Sequence, residues 1–162
     1  MEKKQMNGLA LVVRLTNYLR TGQAFVSGPL TIQEYIRYSD AHDGKVLYPT
    51  YALPAQDQMD DISYMILRCQ QTGMCFIGRI AEYGDDYDPA TWPKSDPYQV
   101  PEPWNKSKTR KWLKLDDVQS YDMDVDKCYP INAEKLETLG DMLGKSGLGL
   151  PIVSIIGGKA SC

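Results

Sequence analysis

Two apolar runs separated by a short polar turn dominate the middle of the chain. Asp61-Ile62-Ser63-Tyr64-Met65-Ile66-Leu67-Arg68-Cys69 is followed by Gln70-Gln71-Thr72-Gly73, then by Met74-Cys75-Phe76-Ile77-Gly78-Arg79-Ile80-Ala81-Glu82-Tyr83. β-branched, aromatic and other apolar residues on either side of a glycine-ended turn predict a β-hairpin. Neither run alternates cleanly, so both faces should be covered and the hairpin should lie mid-sheet. Gly78 interrupts the second run. It suggests a bulge or a close backbone approach, but the relief of twist in a curved sheet is the preferred reading.

The remaining pattern is read from the start of the chain. Leu9 to Leu15 is nearly all apolar and reads as an interior strand, followed by a loop to Pro29. Thr31-Ile32-Gln33-Glu34 has the form of a capping box, and Ile32, Tyr35 and Ile36 fall at helical spacing, which predicts a helix over 31–42. Residues 45–60, with Pro49 and Pro54, predict an ordered loop with a short edge strand. From Gly84 to Pro103 the chain holds five of its ten prolines, several acids and Trp92. A stretch of that kind inside a compact domain is a flap or a mobile loop. Lys111 to Val118 predicts a strand. Asn132 is placed to cap a helix that buries Leu136, Leu139 and Leu143, and 151–156 a last strand, with 157–162 a frayed tail. These elements give one α+β domain over 1–162, its sheet mixed or mainly antiparallel.

Composition narrows the classes. With 162 residues, 43% hydrophobic and 24% charged, the chain suits a folded domain. No apolar run approaches the roughly eighteen residues that cross a bilayer, and the start is a poor signal peptide, so the expectation is a cytoplasmic protein without a membrane partner. A net charge of −3 argues against strong unspecific affinity for a polyanion. Four cysteines without Cys-x-x-Cys spacing and a single histidine, His42, predict neither a zinc site nor a required disulfide; buried free thiols are the plainer reading.

Catalytic motifs are weak. Gly140-Asp141-Met142-Leu143-Gly144-Lys145-Ser146 has three residues, not four, before the Gly-Lys pair and follows a helix instead of a strand, so it reads as a helix end. His42 sits at a helix end as a cap or solvated side chain. The pairs Asp60-Asp61, Asp85-Asp86 and Asp116-Asp117 read as solvated turns. Nothing assigns catalytic residues, a metal or a cofactor. The segment Trp104–Lys114 carries five positive charges and no negative one, and Leu115–Asp126 five aspartates and no positive one. Tryptophan beside lysine and arginine suits nucleic acid, through stacking and phosphate contact. The alternative is that Trp112 is core and the lysines pair with the acidic run that follows.

The strand Leu9–Leu15 ending in Asn17, then Asp61…Ile66, Phe76-Ile77-Gly78-Arg79-Ile80, Ala81-Glu82-Tyr83-Gly84-Asp85-Asp86-Tyr87 and Thr91-Trp92-Pro93, resembles PUA-like domains, the EVE family above all. The resemblance implies a small curved barrel-like sheet with flanking helices, and a pocket that takes a modified base of DNA or RNA out of its stack. It implies a non-enzymatic module with Asn17, Ser27 and Trp92 at the pocket, and with Trp104, Lys106, Lys108, Arg110 and Lys111 on the flanking backbone. Phe25-Val26-Ser27-Gly28 stands where EVE domains commonly carry a tryptophan, and the 84–103 insert is long; both departures touch the binding region. The rival is a small protein-interaction domain acting through its flap and charged stretches.

Overall fold

A seven-stranded open sheet carries the chain. The computed structural model describes residues 5–15, 18–21, 24–133, 136–144 and 150–160, with 18–21 and 24–26 described by strand pairing alone. The elements are β1 (Gly8–Leu15), β2 (Tyr18–Thr21), β3 (Ala24–Ser27), α1 (Gly28–Ala41), β4 (Lys45–Thr50), α2 (Gln56–Met59), β5 (Ile62–Cys69), β6 (Cys75–Tyr87), β7 (Thr109–Tyr121), α3 (Leu139–Leu143), β8 (Ile152–Ile156) and β9 (Lys159–Ala160). The sheet order is β4-β7-β6-β5-β1-β8-β9, and β2 pairs with β3 separately. Among the described strands of this sheet β1 and β5 run parallel and the other neighbours antiparallel. The architecture is α+β, and the sheet ends at β4 and β9 without closing.

The predicted hairpin is β5–β6, in the middle of the sheet, with the turn hydrogen bond Cys69 N–H to Met74 O at 2.8 Å. Both faces are covered, as the unbroken apolar runs require. One face buries Leu11, Val13, Met65, Leu67 and Phe76 under α1, whose Ile32 and Tyr35 point inward. The other buries Val12, Ile66, Cys75 and Ile77 under α3, with Leu139 and Leu143. At Gly78 the β6–β7 register shifts, and a Cβ there would lie 3.0 Å from Val118 Cγ2. The glycine serves bulge and close approach together.

Several boundaries differ from the sequence reading. The helix begins three residues early, because Ser27 rather than Thr31 caps it: Ser27 Oγ accepts from Leu30 N–H at 3.3 Å, and Thr31 Oγ1 donates back to Ser27 O. Glu34 closes no capping box; it pairs with Arg37. The expected loop before Pro29 holds the β2–β3 hairpin. Residues 45–50 form a full edge strand, shielded by the flap through Leu47 N–H to Gln99 O at 2.9 Å. The helix expected from Asn132 starts only after Thr138, which makes a capping box with Asp141. Leu136 is exposed, and Asn132 instead bonds Leu150 O and Ile152 N–H, fixing the entry to β8. The tail is not frayed through residue 160, since β9 pairs with β8.

Cys69, Cys75 and Cys128 are buried and outside any disulfide; Cys162 lies outside the described residues. His42 caps α1, its Nδ1–H donating to Tyr38 O at 2.7 Å and its ring stacked on Tyr38. No helix among the described residues is long and apolar enough to cross a membrane.

Candidate nucleic-acid interface

The basic segment does not present its lysines freely. β6 and β7 run as a long antiparallel ladder in which Glu82 faces Lys114 and Asp85 faces Lys111. Lys111 Nζ binds Asp85, and Lys114 Nζ lies 3.4 Å from Glu82 and 3.2 Å from Asp96. Lys108 reaches Asp88 and Lys106 reaches Glu102, each at 3.6 Å. The acids are thus those of β6 and the flap, not the aspartates that follow; Asp116 and Asp117 pair with Arg79. Arg110, exposed on β7, has no ion pair or hydrogen bond among the described residues.

The flap starts at residue 88, because β6 continues to Tyr87. It is held down by its tryptophan. Trp92 Nε1 donates to Tyr98 O at 2.9 Å, and its ring meets Trp112 edge-on at 5.1 Å and Tyr87 at 5.8 Å. Lys114 Nζ lies 5.4 Å from the Tyr98 ring, 5.5 Å from Trp112 and 5.8 Å from Trp92. An ammonium among three aromatic rings and two carboxylates is stabilised by both cation–π attraction and charge pairing. Tyr98 donates its hydroxyl proton to Asp116 Oδ1 at 2.6 Å; burial first, and that carboxylate second, raise its pKa well above the ordinary value. Trp92, Tyr98, Asp96 and Lys114 therefore act as the rivet between flap and sheet.

Trp104 lies elsewhere. It sits on a single helical turn, Trp104–Lys106, at 5% exposure, and its ring packs 5.4 Å from that of Tyr35. Tyr35 also meets Tyr48 at 5.6 Å and Phe76 at 5.8 Å. Burial, then the neighbouring Tyr48 and Tyr87, push the Tyr35 hydroxyl pKa up. The Trp104 Nε1 proton is buried without a hydrogen-bond partner, as is Asn105 Oδ1 in the same turn. Most buried polar atoms are paired, so two orphans in one helical turn are unusual.

Of the residues expected at the site, Ser27 is the cap of α1, Trp92 is the flap rivet, Trp104 is core, and Asn17 lies outside the described residues. A buried Trp104 does not lie open beside the basic residues as a surface platform for the flanking backbone. Sequence reasoning passed over Lys114, Tyr98 and the Tyr35–Tyr48–Tyr87 group. One signal was present: Glu82 and Asp85 have the same spacing as Lys111 and Lys114, the pattern of oppositely charged partners on two antiparallel strands. Among the described residues no group of His, Cys, Asp and Glu is placed to hold a metal ion. Compared with known proteins, the chain matches no family model, no curated protein and no solved structure.

Proposed function

We propose that the chain is a non-enzymatic nucleic-acid-binding module of the PUA-like, EVE-like kind. It takes a flat ring, a base of DNA or RNA with or without a modification, against the Tyr35, Tyr48, Tyr87 and Trp104 group when the Trp104–Lys106 turn lifts, since all four side chains are buried at rest. The observation that carries this reading is the buried Trp104 Nε1 with no partner. An orphaned buried donor costs about 1–3 kcal/mol, and a ligand acceptor placed there removes that cost. Asn105 Oδ1 offers an acceptor in the same turn, which suits a ring edge carrying both donor and acceptor atoms. The paired lysines contribute little to phosphate binding, so affinity comes from stacking and edge contacts, with Arg110 as the cation open to the backbone.

Equilibrium titration with labelled single- and double-stranded DNA and RNA, unmodified and base-modified, tests the reading. Saturable binding quenched at tryptophan is expected. A second reading, a small protein-interaction domain acting through its flap and charged stretches, draws on the ion pairing of the lysines and on exposed Tyr129, Ile131, Leu136 and Ile156. A folded sample that ignores every oligonucleotide would favour it.

A further inference from the structure

The parallel pair β1–β5 brings two arginines side by side. Arg14 and Arg68 are register partners near the C-terminal ends of β1 and β5. Strand alternation puts both on the α3 face, with Ala10, Val12, Tyr64 and Ile66. Like charges on neighbouring strands repel, so something must hold them. Arg14 Nη1 donates to Leu143 O at 2.8 Å, at the end of α3. Gln70 Nε2 donates to the same oxygen at 3.0 Å, while Gln70 Oε1 accepts from Arg68 Nη1 at 2.9 Å. The one amide thus ties Arg68 to the carbonyl that Arg14 uses.

Arg68 has no carboxylate within ion-pair distance among the described residues, and its Nε is buried without a partner. With Nη1 committed to Gln70, the Nε–Nη2 edge makes no hydrogen bond or ion pair among the described residues. That edge is the planar fork that fits two oxygens of a phosphate. A half-buried guanidinium without a counter-ion is costly, and an anion bound on the fork removes the cost.

We infer that Arg68, positioned by Gln70 and flanked by Arg14, binds a phosphate group at the β1–β5 end of the sheet. The group is a phosphate monoester or inorganic phosphate, reaching the site either as a free small molecule or as the 5′ end of a nucleic-acid strand. This site is separate from the aromatic cluster under α1, so either can fail without the other.

The test is a titration of the full chain with inorganic phosphate against sodium chloride at matched ionic strength. The Arg68 Nε–Hε resonance is followed by NMR, and Tm is measured in parallel. A saturable shift of that resonance is expected, with a Tm rise of about 2–4 °C at some five times Kd. Arg68→Gln should abolish the rise, and Gln70→Ala should weaken it. An Nε–Hε signal that moves no further in phosphate than in chloride overturns the inference, whether or not the variants fold. If the shift is present, tighter binding of a 5′-phosphorylated oligonucleotide than of its hydroxyl form makes the ligand a strand end. Equal binding makes it a free phosphate.

Discussion

Gly84 lies under the indole of Trp112. The two are partners across the β6–β7 ladder, and a Cβ on Gly84 would stand 2.3 Å from Trp112 Cζ2. The strand backbone is therefore the floor on which the tryptophan rests, and Trp112 Nε1 bonds Asp85 O beside it at 3.0 Å. Trp92 then packs on Trp112, so the flap's position depends on a missing side chain.

Gly84→Ala should displace the indole. A methyl group elsewhere in a strand often stabilises slightly by restricting the unfolded chain, but the overlap here dominates, at about 1–3 kcal/mol. Urea unfolding should show a lower midpoint, with a red-shifted tryptophan emission in the native state. An unchanged midpoint would mean that Trp112 is not seated on this strand.

Lys114→Met keeps most of the side-chain volume and removes the charge. Asp96 and Glu82 then lose their common cation, and three rings lose the ammonium at their faces. The flap should open more often, seen as faster proteolysis within 88–103. A double-mutant cycle with Asp96→Asn should give a coupling of about 1 kcal/mol or more, because both side chains are largely shielded from water. Additive effects would remove Lys114 from its role as the rivet.

Stability should be lost in alkali. Burial pushes the Cys75 thiol from 9.0 up to about 12, and burial pushes Tyr121 from 10.0 up to about 12. Tyr35, Tyr48 and Tyr98 are also raised, each chiefly by burial. A group whose folded pKa is raised holds its proton longer in the folded state. Its contribution is intact below the unfolded pKa and disappears as pH climbs to the folded one. Unfolding free energy should thus fall from about pH 9 upward, by about 1.4 kcal/mol per pH unit for each such group between its two pKa values. Denaturant titrations from pH 8 to 11 check this; a flat profile would contradict it. Cys69 behaves differently. Burial raises its pKa, but hydrogen bonds from Thr72 and Gln71 and the charge of Arg68 outweigh it, and the net shift is downward.

The hairpin, its place in the sheet and the doubly covered faces were legible because long apolar runs admit few other arrangements. The β6 bulge was only half legible, because a glycine in such a run fits the relief of twist in a curved sheet as well, which was the preferred reading; the register shift at Gly78 decides it. The α1 start was not: Thr31 and Glu34 satisfy the capping pattern locally, yet Ser27 reaches the Leu30 amide first and Thr31 turns back to Ser27 O. The partners of the basic segment depend on the β6–β7 register, which reading each strand alone does not give. The Tyr35–Trp104 contact joins residues far apart in sequence, and no local pattern announces it.

The most direct measurement compares two variants in one oligonucleotide titration at two salt concentrations. Trp104→Phe keeps the ring and deletes the orphaned N–H; the second variant replaces Lys106, Lys108 and Lys111 with glutamine. The account predicts that Trp104→Phe weakens binding by roughly tenfold, about 1.4 kcal/mol, with the salt slope unchanged. The lysine variant should bind nearly as well as the wild type, because those charges are already paired. A steep salt dependence lost in the lysine variant, with Trp104→Phe indistinguishable from wild type, would contradict it.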